Sequence, residues 1–462
     1  MRPPIVVVGG GLAGIAAAIR LGDANERVVL IESKKKLGGR ATSFVDQRTG
    51  EVLDNCQHVL MGSCTNLLDL YERLGVMESV EWHSRVWWAN PPREPDVMEP
   101  GWIPAPGHFS TSFLKLKFLA TEDKRAIARA MWQLVRLGRE GRARWRGRSF
   151  GEFLIQTRQT VAARRLFWEP VITSACNVTC DRTDAFYGMY VFQQGFLQDS
   201  WSPVMGLPSR SLGSLYDPAE AIIQAGGGEL RMGVSALALA FDGRRITGVV
   251  TDEGMIEASA VISAVSPDRL AKLCSQTLRA ADSRLSRLNE FSFSPILGVH
   301  LFFEQPIMRT PHLVLPGRAT HWLFDKGLDG QGRSHVHAVI SAADEWIDLE
   351  ESEIVGRVMN DVHWALPQSR GLHPVAFRSI KEKRATFACI PGIDEIRPRA
   401  VRDGIRGGVD NLMLAGDWCA SGWPATMEGA VRSGYLAAHG IVEAIGLVAD
   451  VPPARFARFL GL

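Results

Sequence analysis

The fold is decided near the amino terminus by the stretch Ile5-Val6-Val7-Val8-Gly9-Gly10-Gly11-Leu12-Ala13-Gly14. Its four β-branched residues predict a short buried strand of a parallel sheet. The pattern G-x-G-x-x-G follows directly, and the alanine-rich run 15–21 then predicts a helix. Residues 28–31 predict a second strand, which Glu32 ends. This succession of strand, glycine turn, helix and strand is typical of a Rossmann-like α/β fold.

Each residue of the glycine turn has a physical task in binding a dinucleotide. Gly9 permits the tight turn, Gly11 lets the backbone approach a pyrophosphate, and Gly14 allows close packing of the helix on the strand. Leu12 and Ala13 begin the helix, where unpaired N–H groups and the positive end of the helix dipole favour phosphate. We therefore predict that these five residues bind the cofactor.

Two further elements indicate which dinucleotide is bound. Glu32 lies about 20 residues after the glycine turn, where a carboxylate can accept both ribose hydroxyls of an adenosine and would repel a 2′-phosphate. Gly38, Gly39 and Arg40 follow, and two glycines with an arginine can form a second loop over the phosphates. An NAD-binding domain has no need of such a loop, so the sequence favours non-covalently bound FAD.

A matching element stands near the other end of the chain. Residues 411–415 predict a strand, the pair Gly416-Asp417 follows it, and Pro424 opens a predicted helix. These residues resemble the flavin-contacting segment of the amine oxidase and phytoene desaturase superfamily. The resemblance implies that Gly416, Asp417 and Met427 contact FAD. The helix start would then lie near the flavin edge that becomes negatively charged on reduction.

The middle of the chain returns once to the cofactor-binding fold. In the superfamily that the chain resembles, a valine in the strand after a glycine-rich turn contacts the adenine, which implies this role for Val234. The sequence thus predicts an α/β protein, α+β overall, with a substrate-binding domain inserted into a Rossmann-like FAD-binding domain. We assign residues 1–79, 213–269 and 385–462 to the discontinuous FAD-binding domain, and residues 80–212 and 270–384 to the substrate-binding domain.

The predicted substrate-binding domain is rich in tryptophan. It carries Trp82, Trp87, Trp88, Trp102, Trp132, Trp145, Trp168, Trp201, Trp322, Trp346 and Trp364. Any one aromatic side chain is more often part of a core, but collectively they suit a pocket for a large apolar molecule. No second G-x-G-x-x-G pattern stands between a strand and a helix. We therefore expect electrons to be exchanged with an external donor, which the sequence does not identify.

Further blocks of sequence narrow the resemblance. They are Asp54-Asn55-Cys56-Gln57-His58, Glu382-Lys383-Arg384-Ala385-Thr386-Phe387, and the segment from Gly416-Asp417-Trp418 to Ala430. With the two glycine loops they resemble, over nearly the whole chain, the squalene-associated FAD-dependent desaturases. These are the hydroxysqualene dehydroxylases of bacterial squalene and hopanoid biosynthesis. Two residues depart from the family pattern, which has glycine at Cys56 and a smaller apolar residue at Trp423.

The resemblance implies a reaction and a set of catalytic residues. Members of that family replace the allylic hydroxyl of hydroxysqualene by hydrogen, with reduced FAD as the donor. The leaving oxygen must be protonated by an acid in an otherwise dry pocket. The loop of residues 54–58 would lie beside the flavin, so His58 is the expected proton donor, oriented by Gln57 or Asp54. Alternatively, His58 only positions the loop through hydrogen bonds.

Two other functions fit parts of the sequence. A carotenoid-precursor desaturase would use the same cofactor in the opposite direction, removing hydrogen from a polyene. A prenyl-lipid escort protein would share the fold without catalysing a reaction. The intact glycine turn, the Gly-Gly-Arg loop and the Gly-Asp pair argue against the escort protein, because it has no need of a flavin.

Composition excludes several other classes. The 462 residues carry a formal net charge of +2, so no global charge indicates binding to nucleic acid. The seven cysteines do not indicate a disulfide framework, and Cys176 and Cys180 lack the further ligands of a zinc site. The apolar run 5–19 is too short to span a membrane. We expect a cytoplasmic protein without a metal site.

One stretch of the chain is strongly basic. Residues 113–148 contain eleven Lys/Arg and three Asp/Glu. A helix starting near Thr121 would place Ile127, Leu134 and Val135 on one buried face. One interpretation is a solvated basic helix. The other is contact with an anionic membrane surface at the inner face of the cell membrane, where a long-chain isoprenoid substrate resides.

Overall fold

A parallel sheet of five strands forms the centre of the cofactor-binding half. The computed structural model describes residues 2–402 and 408–462. In spatial order the strands are Glu229–Met232, Val28–Glu32, Ile5–Val8, Ala260–Ser263 and Leu412–Leu414. Each strand runs parallel to its neighbours. All four residues of Ile5–Val8 are buried, because other elements cover both faces of the sheet.

Helices cover one face of this sheet and a small antiparallel sheet covers the other. The helices of the first face are Leu12–Asp23, Met427–His439, Thr65–Arg73 and Ala219–Ala225. The first two cross closely because residue 434 is glycine, and a Cβ there would stand 2.3 Å from the carbonyl oxygen of Ala13. The second face carries strands Ala236–Phe241, Ile246–Thr251 and Gly254–Glu257 and helices Pro267–Leu273 and Gln276–Ala281.

A mixed sheet of seven strands forms the base of the other half. In spatial order its strands are Ala376–Phe387, Phe293–Phe303, Ser334–Ser341, Trp322–Leu328, His312–Val314, Val86–Trp88 and Asp96–Met98. Helix Glu351–Ala365 packs on one face through an apolar core that includes Leu297 and Val358. The opposite face carries His300 and Lys326 and meets the loop of residues 54–58.

A helical layer completes this half of the molecule. Its helices are Ser110–Lys115, Thr121–Ala143, Phe150–Gln156, Val161–Ala163, Glu169–Cys176, Ala185–Phe192 and Arg455–Phe459, with wider π-type turns at Arg164–Trp168 and Gln193–Leu197. Aromatic side chains in stacked and edge-to-face contacts, among them Phe150, Trp168 and Phe192, fill its core. Ile127, Leu134 and Val135 are buried in the same core, so the predicted apolar face of the basic helix is confirmed.

Short elements connect the two halves. The strands Ser43–Val45 and Val52–Asp54 form a hairpin, and Leu60–Met61, Met205–Pro208 and Val80–His83 form a small antiparallel sheet. Single turns of 3₁₀-helix occur at Met77–Ser79, Leu212–Tyr216, Ser283–Leu285, Leu288–Glu290, Asp344–Trp346, Pro367–Ser369 and Ile393–Glu395. Within the described part of the chain, no helix combines the length and the apolarity needed to cross a membrane.

The predicted Rossmann-like fold is confirmed, with two local differences. The last long helix begins at Met427 rather than Pro424, because the Thr426 side chain caps it by accepting the Gly429 N–H at 3.1 Å. Val234 lies just beyond the strand Glu229–Met232 instead of within a strand. The limits assigned to the two domains remain a prediction.

Candidate FAD site

The first glycine loop has the geometry that a pyrophosphate requires. Gly9 has a φ of +109°, and a Cβ there would approach the carbonyl oxygen of Ala264 to 2.9 Å. A Cβ at Gly14 would lie only 1.9 Å from the carbonyl oxygen of Gly9. At Gly11, by contrast, the nearest atom to such a Cβ would be the Cα of Gly39, 3.8 Å away. The backbone at Gly11 therefore faces the second glycine loop rather than a side chain, and the buried residues Leu12 and Ala13 begin the helix behind it.

The second glycine loop lies directly on the first. The N–H of Gly38 donates to the carbonyl oxygen of Gly10 at 2.9 Å. Gly38 and Gly39 have φ angles of +97° and +62°, and a Cβ on Gly39 would lie 3.1 Å from the Cα of Gly11. Only glycine fits this approach without strain. The two loops predicted from separate motifs therefore form one surface.

Glu32 stands at the carboxyl end of its strand, beside the first loop. Its carboxylate accepts the N–H of Gly10 at 2.7 Å, the N–H of Lys34 at 2.8 Å and the hydroxyl of Ser33 at 3.1 Å. A carboxylate has about four acceptor positions, so one remains for a ribose hydroxyl. The buried residue Val234 donates its N–H to the Glu32 carbonyl at 3.0 Å. The two residues expected at the adenosine end are thus neighbours.

The amino-terminal and carboxyl-terminal elements meet through an ion pair. Nη2 of Arg40 lies 2.5 Å from Oδ1 of Asp417, and Nη1 donates to the carbonyl oxygen of Ala385 at 2.9 Å. Gly416 adopts a φ of +138° and donates its N–H to Ser433 Oγ at 2.7 Å. Ser433 belongs to the helix Met427–His439, so this bond fixes the helix relative to the Gly-Asp pair.

The loop of residues 54–58 is tied down by its neighbours. Asp54 is buried, and its Oδ1 accepts the Ser43 hydroxyl at 2.7 Å and the Leu212 N–H at 2.9 Å. The ammonium of Lys326 lies 3.6 Å from Asp54 Oδ2 and donates to Gln57 Oε1 at 3.2 Å. Lys326 therefore links the two side chains that were expected to orient His58.

His58 is held differently from the prediction. Its Nδ1 pairs with the carbonyl oxygen of Cys56 at 3.1 Å, whereas the Gln57 amide reaches only the His58 carbonyl at 3.4 Å. Asp54 is engaged by its own partners, so the backbone of Cys56 takes the orienting role. Burial lowers the pKa of His58, although the Cys56 bond and the Asp54 charge oppose this shift. The ring is therefore neutral near pH 7 and presents Nε2 as an acceptor until it takes up a proton.

A cluster of three histidines that was not predicted from the sequence lies beneath this loop. His300 Nε2 pairs with the Asp54 carbonyl oxygen at 3.0 Å, and its Nδ1 lies 2.8 Å from His335 Nε2. The His337 ring stacks on His300 at 3.9 Å, and both His337 nitrogens are buried without a hydrogen-bond partner among the described residues. Burial lowers the pKa of His300 to about 4 and that of His335 to about 2. The alternation His335-Val336-His337 in the sequence indicates two histidines on one face of a strand. Only the pairing of the strands places His300 opposite His337.

An apolar wall lies beside the loop on the same face of the large sheet. Its buried members are Cys56, Met205, Leu207, Phe324 and Val339, with Val59, Met61, Ile296 and Trp322 packed against them. The rings of Trp322 and Phe324 stack at 5.6 Å. Among the described residues of this wall there is no carboxylate. An apolar surface of this kind excludes water from the loop that carries His58.

Most of the tryptophans predicted for the pocket lie elsewhere. Trp88 and Trp168 are fully buried in the helical core, and Trp102 and Trp132 are 86% and 54% exposed. Among the tryptophans predicted to line a pocket, Trp322 belongs to the wall and donates its indole N–H to Ser174 Oγ at 2.7 Å. The prediction of a pocket position was wrong for Trp88, Trp168, Trp102 and Trp132. The number of tryptophans in a domain does not distinguish residues of the core, the surface and a pocket.

The features described above fit a bound FAD. They are the two stacked glycine loops, Glu32 at the end of its strand, the Arg40–Asp417 ion pair and the helix capped by Thr426. This fold and site define a flavin-binding oxidoreductase. The chain belongs to the flavin containing amine oxidoreductase family, whose profile matches residues 12–442. FAD is the cofactor of this family and of this protein, as the glycine loops predict.

Curated relatives are similar over nearly the whole chain, at low identity. The 15-cis-phytoene desaturase of Synechococcus elongatus is 24% identical, over 95% of each chain. The hydroxysqualene dehydroxylase of Sinorhizobium fredii is 26% identical, over 95% of this chain and 98% of the relative. These two relatives have different activities, so similarity at this level defines the family and leaves the reaction open.

Solved structures share the fold. An oxidoreductase from Methanosarcina mazei superposes with a TM-score of 0.73 at 19% identity, covering 95% of this chain and all of that one. A putrescine oxidase bound to putrescine superposes with a TM-score of 0.72 at 18% identity, covering 96% of this chain and 99% of that one. These similarities support the fold alone.

Proposed function

We propose that this FAD-dependent oxidoreductase converts hydroxysqualene to squalene by replacing the allylic hydroxyl with hydrogen. The observation that carries the proposal is the apolar wall of Cys56, Phe324 and Val339 beside the loop that holds His58. A C30 hydrocarbon needs such a wall, and a proton donor is needed only where the oxygen leaves. The resemblance of the loop at residues 54–58 and of the block at residues 382–387 to hydroxysqualene dehydroxylases supports the same substrate.

The residues around the wall account for the steps of this reaction. His58 or Lys326 gives a proton to the hydroxyl, the carbon–oxygen bond breaks, and water leaves. The faces of Trp322 and Phe324 stabilise the allylic cation, as aromatic faces stabilise cations generally. When bound, reduced FAD supplies the hydride that forms the new carbon–hydrogen bond. An external two-electron donor then restores the reduced cofactor, because the chain has no second dinucleotide-binding motif.

A carotenoid-precursor desaturase is the second candidate. Similarity to the phytoene desaturases favours it, and the same apolar wall would suit a longer polyene. Hydrogen removal needs no acid beside the substrate, so the histidine and lysine next to the wall favour the dehydroxylation. A prenyl-lipid escort protein is disfavoured because the loops around Gly11 and Gly39 keep the geometry of a FAD site.

The deciding experiment exposes one protein preparation to both substrates. Photoreduced protein is mixed anaerobically with hydroxysqualene, flavin absorbance is followed, and the products are separated by chromatography. We expect flavin reoxidation with formation of one squalene per flavin. Oxidised protein is mixed with phytoene in parallel. Flavin reduction by phytoene, together with unreacted hydroxysqualene, would instead identify a desaturase. A protein that purifies without flavin would support the escort role.

A further inference from the structure

The outer face of the long helix Thr121–Ala143 carries an exposed basic stripe. Arg125, Arg129, Trp132 and Arg136 follow one another at intervals of four, three and four residues, and all four are exposed. At 3.6 residues per turn these intervals place the side chains in one line along the helix. Trp132 is 54% exposed between the arginines, although a tryptophan in water forgoes a large hydrophobic gain.

The carboxyl-terminal segment packs against the long helix beyond this stripe, and its helix Arg455–Phe459 carries two more exposed aromatic residues. Phe456 and Phe459 are 53% and 84% exposed, whereas Ala457 between them is buried in the core beneath the long helix. The N–H of Arg139 donates to the carbonyl oxygen of Gly461 at 3.4 Å, so the segment lies against the end of that helix.

The approach of the two helices depends on a break in the long one. Gly138 has a φ of +58°, outside the helical region, and a Cβ there would stand 2.5 Å from the carbonyl oxygen of Gly461. Glycine therefore both allows the kink and leaves space for the carboxyl-terminal segment. We use the name cationic–aromatic surface for the exposed side chains of these two segments, which are Arg125, Arg129, Trp132, Arg136, Phe456 and Phe459.

Not every basic residue of the stretch 113–148 belongs to this surface. Arg142, one of the eleven basic residues of that stretch, is buried against the rings of Phe186 and Tyr190 and donates to Gln193 Oε1 at 2.8 Å. Burial lowers the pKa of Arg142 to about 10. The hypothesis of membrane contact is therefore wrong for Arg142, whose side chain stabilises the protein interior.

Acidic residues and arginines in ion pairs lie at the two ends of the arginine stripe. The exposed acids of the long helix are Glu122 and Glu140, before and after the stripe, while Asp123 is buried and accepts the N–H of Ala120. Farther on, Arg146 and Arg148 pair with Asp394 and Glu152. The charge between Arg125 and Arg136 is therefore positive without interruption by an acid.

We propose that the cationic–aromatic surface binds an anionic phospholipid bilayer. Arginine side chains pair with lipid phosphates, while phenylalanine and tryptophan enter the boundary between headgroups and acyl chains. Nucleic acid or an acidic protein would use the arginines but would leave Phe456 and Phe459 in water. The proposal goes beyond the reaction and does not depend on it, because vesicle binding is measured without substrate.

Sedimentation with vesicles tests the proposal on the full-length, FAD-loaded protein. We expect binding to phosphatidylcholine vesicles that contain phosphatidylglycerol, weakening as salt is added. Replacing Arg125, Arg129 and Arg136 by glutamine should weaken this binding about 100-fold, since each basic residue at an anionic surface contributes about fivefold. A matched variant replaces three exposed basic residues on the cofactor-binding half, Arg244, Arg269 and Lys272, and should bind normally.

A second variant separates membrane insertion from charge attraction. Replacing Phe456 and Phe459 by serine should weaken vesicle binding about tenfold while leaving binding to heparin, a soluble polyanion, unchanged. Equal binding to neutral and anionic vesicles, or equal loss in the two triple variants, would overturn the proposal. So would a phenylalanine variant that binds vesicles normally, since the surface would then recognise soluble polyanions. Flavin content in each variant confirms that the protein is folded.

Discussion

The guanidinium of Arg40 and the carboxylate of Asp417 lie 2.5 Å apart, although 377 residues separate them in the chain. Arg40 follows the second glycine loop, and Asp417 follows the last strand of the parallel sheet. Their side chains differ in exposure, at 39% for Arg40 and 7% for Asp417. This contact links the two ends of the cofactor site directly.

The unequal exposure predicts an unequal response to mutation. Arg40→Ala leaves a buried carboxylate without its partner and should cost about 2 kcal/mol, less than a fully buried pair because Arg40 is half in water. Asp417→Ala leaves an arginine that water can solvate and should cost about half as much. Thermal unfolding of flavin-free protein measures the order of the two variants. An equal loss in both would show that the pair is not what stabilises this junction.

Glu32 should contribute to FAD affinity through its position beside the ribose. Glu32→Ala removes acceptors for the Gly10 N–H and for the ribose, and hydrogen bonds to a charged group contribute about 1.5–3 kcal/mol each. FAD should therefore bind at least about tenfold more weakly, as measured by fluorescence of released flavin. Denaturation of the protein should release FAD without any covalently attached peptide, because we expect the cofactor to be bound non-covalently. An unchanged affinity would remove Glu32 from the ribose site.

His58 should matter to the reaction more than to cofactor binding. His58→Ala should keep its FAD and lose about 10²–10⁴-fold in the rate of flavin reoxidation by hydroxysqualene. Because burial lowers the pKa of His58, the protonated form appears only below the ordinary value of 6.5, and the wild-type rate should rise as pH falls. This pH dependence should vanish in the variant. A variant that reacts normally would leave Lys326 as the remaining candidate for the proton.

Buried neutral histidines should make the fold sensitive to acid. His312 is fully buried, its Nε2 pairs with the Arg85 carbonyl oxygen at 3.2 Å, and burial lowers its pKa to about 3. Between about pH 6.5 and about pH 3 only the unfolded chain protonates this group, so stability falls as pH falls, by about 1.4 kcal/mol per pH unit.

Comparison of one variant with the unmutated protein isolates this contribution. His312→Gln should reduce the slope of unfolding free energy against pH by about one proton, whatever it does to stability at neutral pH. Urea denaturation over the acidic range gives the slope for each protein. An unchanged slope in His312→Gln would mean that His312 already takes up its proton in the folded protein.

Two glycines in helices should respond to alanine in opposite directions. Gly434→Ala places a Cβ 2.3 Å from the Ala13 carbonyl oxygen, so the crossing helices must separate at a cost of about 3 kcal/mol. At Gly356, in helix Glu351–Ala365, no atom of the described residues lies within 4 Å of such a Cβ, and the alanine variant should gain about 1 kcal/mol from helix propensity. Differential scanning calorimetry compares the two. A stable Gly434→Ala protein would contradict the close crossing.

The cofactor fold was predictable because its determinants are local. The glycine turn, the strand Ile5–Val8 and the helix Leu12–Asp23 follow from patterns shorter than about 20 residues. The pairing of strands Leu412–Leu414 and Ala260–Ser263 could be inferred only through resemblance, because no local pattern specifies which strand is its neighbour. The fold class and the cofactor were therefore accessible from sequence alone.

The arrangement of side chains around the candidate site was not accessible in the same way. His300 and His335 lie on paired strands of the large sheet, and Lys326 reaches Gln57 from a third strand. Such contacts depend on register, which the sequence does not give without the sheet order. The orientation of His58 by the Cys56 carbonyl likewise depends on the backbone path of one short loop.

The position of Leu412–Leu414 at the edge of the parallel sheet has a consequence for protein synthesis. On the ribosome the strands Ile5–Val8, Val28–Glu32, Glu229–Met232 and Ala260–Ser263 emerge well before it. Until residues 412–414 follow, the strand Ala260–Ser263, which is apolar except for Ser263, has one edge without its partner strand. Such an open edge can pair with other nascent chains. Synthesis of residues 412–414 covers this edge and so removes a site at which the nascent chain can aggregate.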